Sequence, residues 1–390
     1  MNSTIKTIYK TVGALSLATL VYSCSDEAVP LRPYNGETPQ ESNYTWSTTA
    51  DSMQTATYNT YLGSNGTFVT NNVGDATFQY WPNAHALHVL VDGYERTKDD
   101  SYLAKMKALL NGIKTNNNNT YDNDFNDDML WLANACVRAY VATNDQDYKD
   151  VAEYLWAEIK TSWSDVYGGG ISWRKSTPLS KNAVSNGPAA VLALRLYAID
   201  GDQDDLDWAK KIYAWEKDNL VDPNTGLVWD NMNTVDGQVV VQKDWIFTYN
   251  VGTYIGAALR MYHATNDATY LNDAVKTAKS TITSGKLTSN GLLKDEGQGD
   301  GGLFKGILVR YFAELILEAD INDNDRQTFT DFFAYNAETF YDNGLSRPSM
   351  LCGPNWGQLP SDQTDLTTQL SGMMLIEAAA KLDAQGVFEE

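Results

Sequence analysis

The stretch PAAVLALRLYAIDGDQDDLDWAKKIY (188–213) contains the pattern that decides the fold. Its first twelve residues, 188–199, are apolar nearly all round, which is typical of a helix that is buried on every side. A turn rich in Asp and Gly follows, and the next segment carries one apolar stripe and a charged face, as an outer helix does. The stretch therefore predicts a hairpin of one inner and one outer helix.

The same pattern recurs along the chain, and each copy joins an apolar helix to an amphipathic one through an Asp/Asn turn. The other copies are VDGYERTKDDSYLAKMKALL (91–110), VRAYVATNDQDYKDVAEYLW (137–156), LRMYHATNDATYLNDAVKTA (259–278) and the weaker VRYFAELILEADINDNDRQTFTDFF (309–333). The first steps between copies are 46, 57 and 65 residues. Because a solenoid keeps a fixed period, these unequal steps argue against a solenoid.

The complete pattern predicts six inner helices, each preceded by an outer helix. The inner helices are predicted near 84–95, 127–141, 187–199, 250–263, 306–319 and 366–381. The outer helices are predicted near 44–60, 101–113, 148–160, 204–218, 268–282 and 325–340. Twelve alternating helices with six wholly buried predict an all-α fold, an (α/α)6 barrel over residues 43–390, with a bundle or superhelix as the competing all-α interpretation. Strand signals are sparse, and Val239 to Val241 is the best candidate.

Connection lengths indicate where a functional site lies. The turns that leave the inner helices are only a few residues, whereas the connections that enter them are predicted to run roughly 12 to 30 residues. Loops of that length in a compact domain usually carry function. All six emerge where the inner helices begin, so the organisation predicts a site at that end of the barrel.

Composition excludes several classes of function. The chain has 390 residues and a formal net charge of −21, so the phosphates of a nucleic acid would be repelled. Three Cys exclude a disulfide scaffold, and three dispersed His argue against a His-based metal site, so we expect neither metal nor cofactor. An aromatic content of 12% with few basic residues suits a neutral ligand such as carbohydrate, although the same rings also suit a core.

The first residues are typical of an export signal. Lys6 and Lys10 precede a short apolar run, VGALSLATLVY (12–22), which ends at Ser23-Cys24 in a sequence that resembles a bacterial lipobox. We therefore expect a signal peptide over 1–23, a lipidated Cys24 and a Pro-containing flexible tether over 24–42. An ordinary buried helix with an incidental Cys is the alternative. The prediction places the protein on a bacterial outer membrane, held by its lipid anchor only.

Asp127-Asp128 is the leading catalytic candidate. The pair opens the second inner helix, and adjacent residues of a helix point about 100° apart, so two carboxylates are able to flank one bound group. A retaining glycosidase needs one carboxylate as nucleophile and a second carboxyl as acid/base. Two like charges this close raise the pKa of one group and keep it protonated. N-capping of the helix is the competing explanation for the pair.

Six segments carry a resemblance to a known family that spans essentially the whole mature chain. They are DFNDDMLWLANACVRAY (124–140), YGGGISWR (167–174), KNAVSNGPAAVLALRLY (181–197), FTYNVGTYIGAALRMY (247–262), DGGLFKGILVRYF (300–312) and CGPNWGQ (352–358). This order of segments resembles glycoside hydrolase family 76. The resemblance implies an (α/α)6 barrel and a retaining endo-α-1,6-mannanase, with Asp127 as nucleophile and Asp128 as acid/base. The family also contains fungal cell-wall members thought to act as transglycosylases, so hydrolysis stays open.

Residues of the long loops and of the inner-helix starts are candidates for substrate binding. They are Trp81, Asn126, Trp173, Arg174, Asn186, Trp229, Tyr249, Asn250 and Trp356. Trp rings stack on the apolar faces of pyranoses, which makes Trp245 a candidate as well, and amide or hydroxyl groups bind sugar hydroxyls. Core packing and helix capping are the alternatives. The run Gly168-Gly169-Gly170 is expected to let the backbone approach a ligand. Arg174 or Lys305 is expected to orient a hydroxyl or to tune the carboxylate pair, with a structural ion pair as the alternative for each.

These observations predict a monomeric, lipid-anchored enzyme that cleaves α-1,6-mannosidic linkages of mannan by double displacement. A glycan-binding lipoprotein without catalytic activity is the second hypothesis, and it would bind mannan without releasing product. A barrel hydrolase or lyase of another polysaccharide is the third. The loops carry few Lys or Arg, which argues against an acidic polysaccharide. Whether Cys136 and Cys352 pair cannot be decided from the sequence.

Overall fold

The computed structural model describes residues 45–388. The predicted signal peptide (1–23), the lipidation site at Cys24 and the tether (24–42) lie outside these residues. All twelve predicted helices are confirmed within the described part of the chain. The inner helices are α2 (Tyr80–Thr97), α4 (Asn126–Thr143), α6 (Ala183–Asp200), α8 (Thr248–Thr265), α10 (Gly301–Glu318) and α12 (Leu366–Ala384). The outer helices are α1 (Trp46–Tyr61), α3 (Ser101–Asn116), α5 (Gln146–Lys160), α7 (Gln203–Leu220), α9 (Ala268–Thr283) and α11 (Asp323–Thr339).

The inner helices form a closed ring. Each packs on the next in chain order, and α12 returns to pack on α2. The apolar segment 188–199 lies in α6, whose residues 183–196 are all buried. Each outer helix packs on an inner one, and α1 packs mainly on α12. The structure is therefore an (α/α)6 barrel, and the bundle and superhelix interpretations are wrong.

Local sequence sets the short turns between inner and outer helices. Four inner helices end at a residue in the left-handed conformation: Lys98, Asn144, Gly201 and Asn266. Four outer helices then begin at an Asp or Asn whose side chain accepts a backbone N–H of the first turn: Asp145, Asp202, Asp267 and Asn322. These caps satisfy helix-end groups that would otherwise lack partners. The turns form the closed end of the barrel.

The longer connections form the opposite end, which we call the cleft end. They range from nine residues (117–125) to twenty-seven (221–247), so the predicted minimum of 12 was too long for the connection before α4. A four-stranded antiparallel sheet joins two of them, in the order β1 (Ser172–Arg174), β2 (Thr177–Asn182), β3 (Asn231–Val235), β4 (Gln238–Val241). Two-residue ladders pair 288–289 with 292–293 and 345–346 with 351–352.

Both ends of the described chain lie at the closed end. Trp46, the first residue of α1, has its ring centroid 6.3 Å from that of Phe388, beyond the end of α12. No helix within residues 45–388 combines the length and apolar character that crossing a lipid bilayer requires. Cys136 and Cys352 are both buried free thiols, so they do not pair.

Candidate active site

A cleft of about 580 Å³ opens where the inner helices begin. The starts of α2, α4, α6, α8 and α10 contribute to its lining, together with strands β2 and β3. The lining residues are Gln79, Trp81, Phe125, Asp127, Asp128, Trp131, Trp173, Ser180, Asn182, Val184, Asp230, Asn231, Asn233, Trp245, Phe247, Tyr249, Asp300 and Phe304. The site lies at the end of the barrel that the loop lengths predicted.

Asp127 and Asp128 lie side by side in the first turn of α4, and their carboxylates have different partners. Oδ2 of Asp127 accepts a hydrogen bond from Nε1–H of Trp173 at 3.2 Å, while its buried Oδ1 has no protein partner. Oδ2 of Asp128 accepts from the side-chain amide of Asn123 at 3.0 Å. Trp173 therefore engages one oxygen of Asp127, and the other oxygen makes no hydrogen bond to the protein.

The two carboxyls also differ in proton affinity. Burial raises the pKa of both groups above the ordinary Asp value. For Asp127 the effect is opposed by Trp173 and by backbone N–H groups of the first turn of α4. For Asp128 the neighbouring charge of Asp127 adds to burial and raises the pKa further. Asp127 therefore ionises first, and Asp128 keeps its proton to higher pH.

A third carboxylate, Asp300, lies on the opposite side of the cleft at the start of α10. Its Oδ1 accepts a hydrogen bond from Nε1–H of Trp81 at 3.0 Å. Its negative charge raises the pKa of both Asp127 and Asp128. The cleft therefore concentrates negative charge around the pair, which favours retention of one proton.

A buried polar cluster surrounds Asp230, the fourth carboxylate of the cleft. Its Oδ1 accepts from the amide of Asn250 at 3.0 Å and from the hydroxyl of Tyr249 at 3.3 Å, and its Oδ2 accepts from the amide of Asn231 at 2.7 Å. The ring of Tyr249 stacks on Phe304, with centroids 3.9 Å apart and planes 5° from parallel. The cluster holds a carboxylate and an aromatic face in fixed positions on one wall.

Residues 45–389 match the sequence model of Glycosyl hydrolase family 76. The chain belongs to this family. An α-1,6-mannanase from Salegentibacter sp. HEL1_6 is 59% identical, with a TM-score of 0.85 over 87% of this chain and 100% of that one. Its inactive variant, with asparagine at two consecutive aspartates, has been solved in complex with α-1,6-mannotriose.

Two more distant relatives extend the comparison. The Lin0763 protein from Listeria innocua is 36% identical, with a TM-score of 0.82 over 88% of this chain and 99% of that one. A putative mannan endo-1,6-alpha-mannosidase from Schizosaccharomyces pombe is 25% identical over 61% of this chain and 59% of its own length. The family 76 chain thus spans less than two thirds of the curated fungal relatives it matches.

Five of the residues predicted from the sequence of this family 76 enzyme line the cleft. They are Asp127, Asp128, Trp81, Trp173 and Tyr249. Asn250 lies behind this lining and acts through Asp230 rather than presenting its amide to the cleft. Trp245 is a sixth candidate from the sequence that lines the cleft, and it is 53% exposed, so its ring is free to meet a ligand.

The predictions that Trp356 and Trp229 stack on sugar are not supported, and for Trp356 the prediction is wrong. The ring of Trp356 is 0% exposed and packs edge-on against Phe340, with Nζ of Lys305 4.5 Å from its centroid. Lys305 itself is buried and donates to the carbonyl of Pro354, so it holds a loop rather than a ligand. Trp229 lies outside the cleft lining with Lys243 over its ring.

The predictions of sugar binding by Asn126 and Asn186 are also wrong, because both amides are buried and bonded to protein. Asn126 donates to the carbonyl of Ser172 at 2.9 Å and accepts from the hydroxyl of Ser162. Asn186 accepts from the N–H of Ile171 and donates to its carbonyl. Both side chains fasten the segment that leads into β1 and its Trp173.

The glycine run serves protein packing instead of ligand approach. Gly169 and Gly170 have φ of 141° and 89°, and a Cβ on either would lie 2.6–2.8 Å from ring atoms of Trp163 or Trp215. Only glycine allows the backbone to lie this close to two indole rings in this conformation. The prediction that the run approaches a ligand is therefore wrong.

Arg174 lies beside the cleft and is absent from its lining. Its guanidinium carbon is 3.8 Å from the ring centroid of Phe125, and its Nε is 3.5 Å from Oδ2 of Asp124. Its positive charge lowers the pKa of Asp128, which opposes the effect of burial. This placement fits the expected tuning of the pair better than direct contact with a sugar.

Sequence reasoning assigned no role to Asp300 or Phe304, both in the recognised segment 300–312. Asp127-Asp128 was predicted from its position at the start of an apolar inner helix. Asp300 directly precedes α10, another apolar inner helix, so the same criterion could have identified it. Asp230 likewise had no predicted role. Its role depends on contacts with α8, which the sequence does not reveal.

Proposed function

We propose that this family 76 glycoside hydrolase is a retaining, endo-acting α-1,6-mannanase whose substrate is the backbone of α-mannan. The carrying observation is the unequal pair Asp127-Asp128, in which burial raises both pKa values but Asp127 ionises first and Asp128 keeps its proton to higher pH. Double displacement requires that division of roles.

In the first step, ionised Asp127 attacks the anomeric carbon of a mannosyl residue while Asp128 gives its proton to the departing glycosidic oxygen. The bond between the anomeric carbon and that oxygen breaks, and a glycosyl ester forms on Asp127. In the second step, Asp128 takes a proton from water, whose oxygen attacks the anomeric carbon and releases Asp127. Two inversions retain the anomeric configuration, and both carboxyls return to their starting states.

The charge of the cleft supports a neutral substrate. Its described lining contains four carboxylates, Asp127, Asp128, Asp230 and Asp300, and neither Lys nor Arg. A polyanion such as a uronate polymer would be repelled, whereas a neutral mannan would not. The aromatic faces of Trp81, Trp173, Trp245 and Tyr249 suit the apolar faces of pyranose rings.

The relatives support the choice of linkage. The Salegentibacter enzyme is named an α-1,6-mannanase, and its complex contains α-1,6-mannotriose. Fungal relatives are named mannan endo-1,6-alpha-mannosidases, among them one from Candida glabrata that is 29% identical over 206 residues. The inactivating substitutions of the Salegentibacter variant fall on consecutive aspartates, which matches the adjacency of Asp127 and Asp128.

The test is digestion of unbranched α-1,6-mannan with the purified protein and its variants Asp127→Asn and Asp128→Asn. We expect oligosaccharides of several lengths from the wild type, a product of retained anomeric configuration by NMR, and a loss of at least roughly a thousandfold in each variant. Asp100→Asn is the matched control, because Asp99-Asp100 is another adjacent pair, exposed at the closed end. Full activity in both cleft variants would refute the roles given to the pair.

Adding azide as an external nucleophile distinguishes the catalytic nucleophile from the acid/base. In Asp128→Ala, azide is expected to attack the glycosyl ester on Asp127 and to release an α-mannosyl azide, because that step needs no general base. In Asp127→Ala no such product of retained configuration is expected. The same digests report whether water or a second sugar is the acceptor, and hence whether the enzyme hydrolyses or transglycosylates.

We also propose, on the sequence of residues 1–42, that the protein is a lipoprotein of a bacterial outer membrane, acylated at Cys24, and that it acts as a monomer. Labelling of cells with an alkyne fatty acid is expected to tag the wild type and not Cys24→Ser. Light scattering of the purified soluble domain is expected to give the mass of one chain. Absence of label on the wild type would refute the anchor.

A further inference from the structure

Helix α8 begins without a cap from its own sequence. Phe247 occupies the N-cap position, and its side chain makes no cap hydrogen bond to the first turn. The first N–H groups of a helix have no partner within it, so an acceptor has to come from elsewhere. Glu296 supplies one, because its Oε1 accepts from the N–H of Thr248 at 3.0 Å and its Oε2 accepts from the hydroxyl of the same residue. A carboxylate from the connection before α10 therefore caps α8.

Residues 296–300, which we call the α10 loop, also contact the starts of two further inner helices. The side-chain oxygen of Gln298 accepts from the N–H of Asp365, the N-cap of α12, at 2.7 Å. Oδ2 of Asp365 in turn accepts a backbone N–H of the loop at 2.9 Å. Asp300, the last residue of the loop, accepts from Trp81 on α2. The α10 loop therefore joins the starts of α8, α12 and α2.

The main chain of Glu296 packs closely on α10. A Cβ on Gly301, the first residue of α10, would lie 1.9 Å from the carbonyl oxygen of Glu296. Only glycine allows the two backbone segments to lie this close. Because its side chain holds α8 while its main chain packs on α10, Glu296 fixes the position of one helix start relative to the other.

Both of these helix starts carry residues of the cleft. Tyr249 directly follows Thr248, and Asp300 and Phe304 belong to the start of α10. The rings of Tyr249 and Phe304 stack with their centroids 3.9 Å apart, an arrangement that requires α8 and α10 to keep their relative position. Glu296 itself lies outside the cleft lining, so it acts on the cleft through these neighbours.

The surroundings of Glu296 favour its ionised form above neutral pH. Burial raises the pKa of Glu296 to about 7, and the hydrogen bonds from Thr248 and the positive charge of Lys305 oppose this rise. Above that pH the group is a carboxylate, which is the form that accepts both bonds from Thr248. The N-terminus of a helix also favours a negative charge.

We infer that Glu296 is a positioning residue for the cleft. By accepting from Thr248 it holds the start of α8 against the α10 loop, and so keeps the aromatic stack and the third carboxylate of the cleft in place for the substrate. The kinetic consequence of this role rests on the proposed mannanase activity, whereas the connection between α8 and the α10 loop is a property of the folded chain. Glu296 does not belong to the catalytic pair, which lies on α4.

The first measurement is hydrogen–deuterium exchange of the protein at pH 8, read by mass spectrometry of peptides from 246–254 and 296–304. Glu296→Ala is expected to speed exchange in both segments by roughly tenfold, because α8 loses its cap and the α10 loop loses an anchor. Glu296→Gln keeps an acceptor for the N–H of Thr248 and is expected to restore the slower rate. Asp325→Ala is the matched control; it removes a buried carboxylate from the first turn of α11, at the closed end, and is expected to leave both segments unchanged.

The second measurement is steady-state kinetics of the same variants on α-1,6-mannan. In Glu296→Ala, KM is expected to rise roughly tenfold while kcat changes less than about threefold, because the catalytic pair on α4 keeps its own hydrogen bonds. Glu296→Gln is expected to return KM to the wild-type value. Asp325→Ala is expected to lower Tm without altering KM, which separates positioning of the cleft from a general loss of stability.

Unchanged exchange in Glu296→Ala overturns the inference. So does faster exchange with an unaltered KM, or a glutamine variant that behaves like the alanine variant. A wild type that cleaves no α-1,6-mannan would refute the proposed function instead. The exchange rates would then still decide whether Glu296 holds the start of α8 against the α10 loop.

Discussion

The indole N–H of Trp173 donates a hydrogen bond to Oδ2 of Asp127, and Asp128 next to it receives none from this ring. Trp173 lies on β1, so a residue from the loop preceding α6 distinguishes two carboxylates of α4 that are neighbours in the sequence. An N–H donor stabilises the ionised form of its acceptor. The bond thus helps to assign the nucleophile.

Trp173→Phe keeps an aromatic ring and removes the donor. The pKa of Asp127 is expected to rise, so the acidic limb of the kcat/KM profile against pH moves to higher pH. At neutral pH we expect kcat/KM to fall roughly 10- to 100-fold, the range for a hydrogen bond to a charged group. Trp245→Phe, at another cleft indole, is the control and leaves that limb in place. An unmoved acidic limb in Trp173→Phe would contradict the assignment.

Asp300→Asn tests the third carboxylate. The charge of Asp300 raises the pKa of both Asp127 and Asp128, so its removal is expected to lower both and to move the whole bell-shaped profile toward acid. An amide oxygen still accepts from Trp81, which keeps the local contact. The measurement is kcat/KM on a mannooligosaccharide across the pH range. Loss of activity with both limbs unmoved would mean that Asp300 acts by contact with substrate and not by its charge.

The catalytic pair is expected to reduce stability at neutral pH. A carboxyl whose folded pKa is raised is protonated in the folded protein near pH 4, where the unfolded chain has ionised only about half of it, so the cost at that pH is small. By about pH 8 the unfolded chain has ionised the carboxyl fully while burial still opposes its ionisation in the folded protein, so the cost is larger. Asp127→Asn/Asp128→Asn is therefore expected to raise Tm by roughly 2–5 °C at pH 8 and by little at pH 4. Asp99→Asn/Asp100→Asn provides the exposed control. Equal shifts at both pH values would show that burial of charge is not the cause.

Trp356 and Trp245 are expected to respond in opposite ways to truncation. Trp356→Ala removes a fully buried ring and is expected to lower the free energy of unfolding by about 3–5 kcal/mol, with KM unchanged. Trp245→Ala removes a half-exposed ring that lines the cleft, so KM rises while Tm hardly changes. Calorimetry and steady-state kinetics on both variants distinguish the roles. A raised KM in a well-folded Trp356→Ala would restore the sequence-based prediction.

The helices were predictable because their signals are local. Inner helices such as α6 are apolar on every side, and an Asp or Asn cap marks the turn that follows them. A single segment of sequence is therefore enough to predict an inner helix and where it ends. Strands β1, β2 and β3 were not predicted, because a segment such as TPLSKN (177–182) has no alternation and becomes a strand only through pairing with β3. The catalytic pair was found for the same local reason, its position at the start of an inner helix.

The binding residues were predicted less well, because the sequence places a residue in a loop and does not show which way its side chain points. Trp245 and Trp356 both follow outer helices, yet one faces the cleft and the other the core. Asn126 and Asn186 are polar residues at helix starts, which is where residues that bind sugar were expected. Their side-chain amides instead form hydrogen bonds with neighbouring backbone groups. These outcomes depend on tertiary contacts, which no single segment reveals.

Trp46 and Phe388 meet on the side of the barrel away from the cleft, so the first described helix begins at the end of the barrel opposite the catalytic pair. An inner helix of 18 residues is about 27 Å long, which sets the depth of protein between them. With the proposed acyl chain on Cys24, about 21 residues lead to Thr45, and such a chain reaches at most roughly 70 Å. We therefore expect the cleft to face away from the membrane. The enzyme would then cleave polysaccharide that lies at some distance above the lipid surface, and not glycans that lie directly on it.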